Sequence, residues 1–278
     1  MRYSIIIPHY GMPDLLQRLL RSIPQRDDLE VIVEEDDMQR GAGWARNQAM
    51  RKAKGDYLIF ADSDDEFLPA FNELLDAARN VSDDVIFFSA TSKENATCKL
   101  SWRACHLNWI MQQEAERCEF LLRHTFTEPW CKLVRRDLVE KQRIVFDETP
   151  ILNDVHFSTQ VGYWARSISV MPIKAYCINN RQASTAKQMD RSRLVAYSWV
   201  MANTNMFNGK HGIDYWHARM LRPFVMSVLT LRFSTARECW KVILSVGFAN
   251  SQLIPKLLLY PWQLISHIKQ RKVMSRCI

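Results

Sequence analysis

The chain has 278 residues and carries 37 lysines and arginines against 30 aspartates and glutamates, a formal net charge of +7. Its hydrophobic content of 47% suits a globular protein with a buried core and excludes a low-complexity polypeptide. Seven irregularly spaced cysteines indicate free thiols in a reducing compartment, and no apolar run reaches the roughly 18 residues that a membrane-spanning helix needs.

A buried strand followed by a helix is predicted at the start of the chain. Residues 3–7 are a β-branched run, typical of a strand covered on both faces of a parallel sheet. Apolar residues then recur at helical spacing from Pro13 until Pro24 closes the segment. Residues 8–11 are therefore predicted to form a loop at the end of the strand.

A second strand and helix repeat this pattern. Residues 29–33 are mostly apolar and run into the acids of residues 34–37. Gly41 then opens a helix that ends before Gly55, with basic residues near its carboxyl end, where the helix dipole favours them. The acids of residues 34–37 are thus predicted to lie in a loop after the second strand.

The third strand ends in a dense cluster of acids. Residues 57–61 are an apolar run of strand length, and carboxylates follow at Asp62, Asp64, Asp65 and Glu66. Carboxylates this close repel one another, so the cluster favours a divalent metal, Mn²⁺ or Mg²⁺, which prefer oxygen ligands. A solvated turn that caps the next helix is the alternative that this stretch leaves open by itself.

The alternation of strands and helices predicts an α/β fold with a mostly parallel sheet flanked by helices. Right-handed crossovers place the carboxyl ends of parallel strands along one edge, where ligands of such sheets bind. The acidic and glycine-containing loops are therefore expected to meet there, at residues 8–11, 34–37, 41–43 and 62–65. This convergence favours a ligand site over a simple helix cap.

Later elements are predicted from shorter patterns. Asp154 precedes apolar residues at helical spacing, which indicates the start of a helix. Further strands are predicted at residues 85–88, 168–170 and 175–178. Further helices are predicted at residues 118–124 and 189–209.

Four motifs stand in order along about the first 95 residues. They are Pro8-His9-Tyr10-Gly11, Glu35-Asp36-Asp37-Met38, Gly41-Ala42-Gly43-Trp44-Ala45-Arg46-Asn47 and Asp62-Ser63-Asp64-Asp65. The ordered set resembles the inverting family 2 glycosyltransferases, which have the GT-A fold, a Rossmann-like fold of nucleotide-diphospho-sugar transferases. The resemblance extends more weakly to about residue 185. Gly11 replaces the usual asparagine, and the second motif departs from the usual Asp-Asp-Gly-Ser.

The resemblance implies roles for the residues of these motifs. The base of a nucleotide sugar would pack near Pro8 and Tyr10, and Asp36, or else Glu35, would accept hydrogen bonds from it. Asp62 would face the ribose, and Asp64 would bind the metal. Arg46, near the start of its helix, would bind the phosphates. A salt bridge to one of the nearby acids is the alternative for Arg46.

The resemblance also implies a general base well downstream of the acidic cluster. Asp154 occupies the matching position, with Asp147 and Glu148 in reserve. A positioned carboxylate that takes the proton of an acceptor hydroxyl contributes about 10² to 10⁴ in rate. The alternative is that Asp154 only caps its helix.

Two units are expected, a catalytic GT-A domain at residues 1–185 and a mainly helical, basic extension at residues 186–278. From residue 215 onward the chain has ten lysines and arginines against one acid, Glu238. Aromatic and aliphatic residues beside these basic residues suit a segment that lies on an anionic membrane, which assigns that contact to residues 250–278. The alternative is a helical extension whose apolar face covers the catalytic domain.

The leading hypothesis is a metal-dependent glycosyltransferase that moves a sugar from a nucleotide-diphosphate donor, a UDP-sugar, to a hydroxyl of a growing cell-surface glycan such as lipopolysaccharide or capsule. It would work in the cytoplasm, peripherally on the inner face of the cell membrane. The alternatives are a catalytically silent GT-A protein that binds nucleotides and a nucleic-acid-binding protein. Acids at the ligand edge would repel nucleic-acid phosphates, so no nucleic-acid partner is expected.

Overall fold

The computed structural model of the chain describes residues 1–94, 97, 99–180, 189–213, 215 and 218–260. Within these residues one seven-stranded sheet forms the centre of the molecule. Its strands are β1 (Tyr3–His9), β2 (Leu29–Glu35), β3 (Tyr57–Phe60), β4 (Glu66–Phe67), β5 (Val85–Glu94), β6 (Lys132–Arg135) and β7 (Ile168–Asn180).

Helices cover the sheet and extend beyond its last strand. Those that precede β7 are α1 (Pro13–Ser22), α2 (Ala42–Lys52), α3 (Ala70–Ala77), α4 (Cys105–Ile110), α5 (Ala115–His124), α6 (Arg136–Lys141) and α7 (Val155–Trp164). Those that follow it are α8 (Arg191–Lys210), α9 (Arg222–Leu229), α10 (Phe233–Ser245) and a helical stretch over residues 250–260.

The sheet is mixed, in the order β2-β1-β3-β6-β5-β7-β4. β1 pairs in parallel with β2 and β3, and β5 pairs in parallel with β7, whereas β6 and β4 run antiparallel to their neighbours. Five of the seven strands therefore point the same way, which confirms the predicted α/β fold with flanking helices. The reversal of β6 brings its first residue, Lys132, beside the carboxyl end of β3.

The two late strands predicted at residues 168–170 and 175–178 form one strand, β7. Pro172 lies between them and is exposed, and the register against β5 shifts from Phe88 with Met171 to Ser89 with Lys174. A proline lacks the N–H that a ladder needs and is accommodated at such bulges. The prediction of two strands was therefore wrong, because Pro172 marks a change of register within one strand and not its end.

The main core lies between the sheet and its helices, as the apolar runs predict. All seven residues of β1 and all four of β3 are buried, consistent with strands covered on both faces. Three aromatic rings join β3 to later elements, with the rings of Phe146 and Phe157 stacked at 3.9 Å and Phe60 edge-on to both. This contact fixes the start of α7 relative to the carboxyl end of β3.

A second core joins α8, α9, α10 and residues 250–260, and it also takes in Val155 at the start of α7. Leu253 and Tyr260 are buried in this second core, whereas Ile254, Leu258 and Leu259 on the same helical stretch are exposed. Residues 261–278 of the predicted membrane segment lie outside the described residues. Across the described ranges, none of the helices combines the length and apolar character that a bilayer crossing requires.

Candidate functional site

The ends of β1, β2 and β3 meet at one edge of the sheet, as the parallel arrangement predicts. The Asp36 N–H donates to the His9 carbonyl at 2.9 Å, and the Ala61 N–H donates to the Ile6 carbonyl at 3.1 Å. Pro8 is buried in β1, but the side chain of Tyr10 just beyond it is 50% exposed. The edge thus presents an accessible aromatic ring next to the acidic loops.

The buried Asp36 carboxylate shapes the turn that leads into α2. Its two oxygens accept hydrogen bonds from the backbone N–H groups of Arg40 and Gly41, at 2.9 and 2.6 Å. A carboxylate has about four lone-pair sites, so it keeps acceptor capacity for a further group. Glu35 is exposed, with a carboxylate oxygen 3.8 Å from His9 Nε2. Recognition of a nucleotide base by Asp36 or Glu35 stays a prediction.

The acidic loop after β3 brings three carboxylates together. Oxygens of Asp62, Asp64 and Asp65 lie within 4.8 Å of one another. Asp65 is buried, and its oxygens accept from the Tyr176 hydroxyl and the Asn179 N–H, both at 2.8 Å. Burial, followed by the charges of Asp62 and Asp64, holds the pKa of the Asp65 carboxyl well above its usual value. A divalent cation would relieve this concentration of negative charge, so the residues fit a metal site.

Two elements, α1 and β7, hold the backbone of the acidic loop in place. The Asp64 carbonyl accepts from Arg18 Nη2 at 2.6 Å and from Asn179 Nδ2 at 3.0 Å. The Asp62 N–H donates to the Tyr176 hydroxyl at 3.0 Å. Contacts from α1 on one side and β7 on the other therefore fix the directions in which the carboxylates point.

Arg46 on α2 connects the acidic loop to the loop that precedes α7. Its guanidinium is buried and donates to Asp62 Oδ1 at 2.6 Å and to Asn153 Oδ1 at 2.7 Å, while lying 5.2 Å from the centre of the Phe146 ring. The salt bridge to a nearby acid is thus present. Arg46 Nε has no hydrogen-bond partner within the described part of the chain.

Asp154 stands next in sequence to Asn153, at the N-cap position of α7, and is half-buried. Within α7, which is described throughout, its side chain accepts no capping hydrogen bond. Burial raises the pKa of its carboxyl to about 6, against the opposing charge of Arg46. The carboxylate is therefore not committed to capping, the alternative role that the sequence left open.

The two reserve candidates for the base have other partners. Asp147 Oδ1 lies 3.6 Å from His156 Nδ1, and Glu148 Oε1 accepts from Asn47 Nδ2 at 3.2 Å. Asn47 also donates to the Phe146 carbonyl at 3.0 Å and accepts from the Phe146 N–H at 2.9 Å. These contacts connect Phe146 and Glu148 to α2, and Asp147 to His156 of α7.

A buried lysine that the sequence analysis missed lies near Asp154. Lys132 Nζ donates to the Phe126 carbonyl at 2.9 Å and lies 4.8 Å from the centre of the Phe126 ring. Burial lowers its pKa to about 7, opposed by the charges of Glu128 and Asp154. Only the reversed direction of β6 brings this residue to the site, and no local pattern in the sequence reveals that reversal.

A glycine allows α2 to approach the loop before α7 closely. A Cβ built on Gly43 would lie 2.0 Å from the Asp147 carbonyl oxygen and 3.0 Å from Asn153 Cβ. Any larger residue would push residues 147–153 away from α2. The contact between Arg46 and Asn153 therefore depends on a position where only hydrogen fits.

One family model and a curated relative match this chain. The model described as Glycosyl transferase family 2 matches residues 25–143, which include α2, the acidic loop and β6. EpsH of Bacillus subtilis (strain 168), named as a glycosyltransferase, is 25% identical over 182 residues, covering 62% of this chain and 51% of EpsH. The chain spans about half the length of the curated relatives that it matches.

Solved structures share the fold at low sequence identity. S. aureus TarS in complex with UDP-GlcNAc has a TM-score of 0.66 at 17% identity, covering 99% of this chain and 92% of that chain. The mannosyltransferase PcManGT from Pyrobaculum calidifontis in complex with GDP-Man and Mn²⁺ has a TM-score of 0.50 at 14% identity, covering 99% and 86%.

Proposed function

We propose, on the premise that this chain belongs to glycosyl transferase family 2 and has the GT-A fold, that it transfers a sugar from a nucleotide-diphosphate donor to an acceptor hydroxyl. The observation that carries this proposal is the arrangement around Arg46. One guanidinium contacts both the acidic loop, at Asp62, and Asn153, the neighbour of Asp154. Arg46, the proposed contact of the diphosphate, would therefore link the loop proposed to hold the metal to the loop that carries the proposed base, Asp154.

The donor in this proposal is a UDP-sugar. The complex of TarS with UDP-GlcNAc supports this choice by fold likeness. The nucleotide base would pack against the exposed ring of Tyr10 beside Pro8, and Asp36 or Glu35 would accept hydrogen bonds from its N–H groups. Asp62 would face the ribose side.

Divalent metal dependence is also part of the proposal. Asp62, Asp64 and Asp65 offer oxygens at a spacing that suits Mn²⁺ or Mg²⁺, with Asp64 as the main ligand. The complex of PcManGT with GDP-Man and Mn²⁺ supports a divalent metal by fold likeness. When bound, the ion would neutralise the charge that develops on the departing diphosphate. Arg46 would add its own positive charge from the side of α2.

Asp154 is the proposed general base. Its carboxyl has a pKa of about 6, so it is mostly ionised at neutral pH and still basic enough to accept a proton. It would take the proton of the acceptor hydroxyl as that oxygen attacks the sugar from the side opposite the diphosphate. This geometry inverts the configuration of the anomeric carbon.

The acceptor in the proposal is a growing cell-surface glycan, and the protein would work peripherally on the inner face of the cell membrane. Residues 1–185 would provide the catalytic unit and residues 186–278 the helical extension. The membrane contact was predicted for residues 250–278. In residues 250–260 the exposed Ile254 and Leu258 support it, whereas the buried Leu253 and Tyr260 support packing against the rest of the protein.

A binding and turnover assay tests this function with two variants that separate its parts. We expect UDP-sugars to raise the melting temperature of the wild type more with Mn²⁺ than without it, because a ligand that binds the native state stabilises that state. Asp64→Ala should remove the metal-dependent part of the shift. Asp154→Asn should keep it and reduce sugar-nucleotide turnover by about 10² or more.

Three results would contradict the proposal in different ways. Full turnover by Asp154→Asn would show that the base is wrongly assigned. Binding of the donor with no turnover by the wild type would favour a silent nucleotide-binding protein. Tight, strongly salt-dependent binding to an oligonucleotide would favour the nucleic-acid alternative, which the acids at the sheet edge oppose.

A further inference from the structure

The turn between α9 and α10 exposes three large apolar side chains. Leu229 is 76% exposed, Leu231 75% and Phe233 62%. They lie within five consecutive residues and alternate with Thr230 and Arg232, which are also exposed. Single exposed apolar residues are common on soluble proteins, but three together on one turn indicate an interaction site.

Leu231 is also in a backbone conformation that leucine disfavours. Its φ is 55°, and its N–H donates to the Val228 carbonyl at 3.1 Å. The Arg232 N–H donates to the Ser227 carbonyl at 2.7 Å, which completes a Schellman motif at the end of α9. Glycine or asparagine is usual at the position that Leu231 occupies. A leucine with positive φ is strained, and an exposed leucine lowers solubility. We therefore infer that the Leu231 side chain contacts a partner.

Basic side chains surround this turn and continue along α10. Arg232, Arg237 and Lys241 are exposed, and Phe233, Arg237 and Lys241 are spaced four residues apart, on one face of the helix. The opposite face of α10 is buried at Cys239 and Ile243, and Ile243 belongs to the second core. The exposed surface is therefore apolar at the turn and basic along α10, at Arg237 and Lys241.

We propose that the α9–α10 turn docks on an anionic lipid bilayer, with Leu229, Leu231 and Phe233 in the headgroup boundary and the basic face of α10 against lipid phosphates. Apolar side chains beside basic ones are the composition of surfaces that bind such membranes. The charge pattern selects the bilayer over a second copy of the chain, because two copies of this basic face would repel each other. This docking surface does not depend on sugar transfer, and it lies outside residues 250–278.

Vesicle sedimentation of the full chain tests the proposal. The wild type should sediment with phosphatidylcholine vesicles that contain phosphatidylglycerol, and more weakly with pure phosphatidylcholine. The triple variant Leu229→Ser, Leu231→Asn and Phe233→Ser should lose about tenfold or more in partitioning to the anionic vesicles. Leu100→Ser is the matched control, because Leu100 is 64% exposed and belongs to the sheet region. It should sediment like the wild type.

The single variant Leu231→Asn excludes misfolding as an explanation. Asparagine tolerates positive φ, so this variant should melt about 2 °C higher than the wild type. It should nevertheless bind anionic vesicles less well. A more stable protein that has lost membrane affinity has no other simple cause than the missing apolar side chain.

Two results would overturn the docking surface. One is equal sedimentation of the triple variant and the wild type. The other is a concentration-dependent dimer of the wild type that the triple variant lacks, without vesicle binding by either, which would make the turn an interface between copies. Sugar-nucleotide turnover in solution should be the same in the triple variant and the wild type, so failure here is distinguishable from failure of the proposed transferase activity.

Discussion

Burial shifts the pKa values of two charged groups of the site. It raises the pKa of Asp154 to about 6 and lowers the pKa of Lys132 to about 7. Arg46 lies between Asp62 and Asn153 and opposes the shift of Asp154. The site therefore holds an acid and an amine that both titrate near neutral pH, an arrangement that is common where protons are transferred.

The pKa of Asp154 leads to a prediction for the pH dependence of transfer. A base must be ionised, so kcat should rise as the pH increases through about 6 and level off above it. Initial rates between about pH 5 and 8 at saturating donor would measure this. The residual kcat of Asp154→Asn should lack that step. A wild-type profile that is flat across the same range would contradict the assignment of the base.

At the scale of elements, the direction of each strand decided what could be predicted. The first three strands could be read from apolar runs closed by glycine, proline and acids, and parallel pairing then placed their loops at one edge. Residues 132–135 are too short to show a strand, and their reversal depends on pairing with β3 and β5. Lys132 was missed for this reason.

Contacts between elements that are distant along the chain could likewise not be predicted from the sequence. Tyr176 and Asn179 reach Asp65 only because β7 continues past its bulge, and Asn153 reaches Arg46 only because Gly43 lets the two segments meet. Motif order thus located the loops, whereas the contacts that orient their side chains required the fold. The catalytic roles of these residues remain predictions.

The close approach at Gly43 leads to a prediction with a matched control. Gly43→Ala should destabilise the protein by about 1–3 kcal/mol and reduce turnover, because its methyl group would meet the Asp147 carbonyl. Gly209→Ala, inside α8 with nothing within 4 Å of the added carbon, should stabilise it by about 0.5–1 kcal/mol. Urea midpoints and turnover rates would measure both. Equal midpoints for the two variants would contradict the close approach.

At the scale of the whole molecule, the helical part supports the site as well as extending the chain. Val155, the residue after Asp154, is buried in the second core together with Val200 of α8 and Leu253. Ile151 and Leu152 pack against the same core. The loop that carries Asp154 is therefore held by α2 on one side and by the C-terminal helices on the other.

Two truncations test this support. Removing residues 250–278 takes Leu253 and Tyr260 out of the second core, so the melting temperature and turnover should both fall; losing one large buried side chain alone costs about 2–5 kcal/mol. Ending the chain after Tyr260 keeps both side chains, so this protein should melt at a higher temperature and turn over faster than the chain that ends at residue 249. Thermal unfolding and turnover of the two truncated proteins would measure this. Identical melting temperatures would mean that residues 250–260 do not stabilise the fold.

The position of Arg46 has a consequence for attempts to redesign specificity. Its guanidinium donates hydrogen bonds to two loops, the one proposed to bind the donor, at Asp62, and the one that carries the proposed base, at Asn153. A substitution that moves Asp62 to admit a different sugar nucleotide also moves Asn153, and with it the neighbouring carboxylate. Engineered changes in the two loops should therefore be non-additive, and selecting for a new donor would alter acceptor preference in the same step.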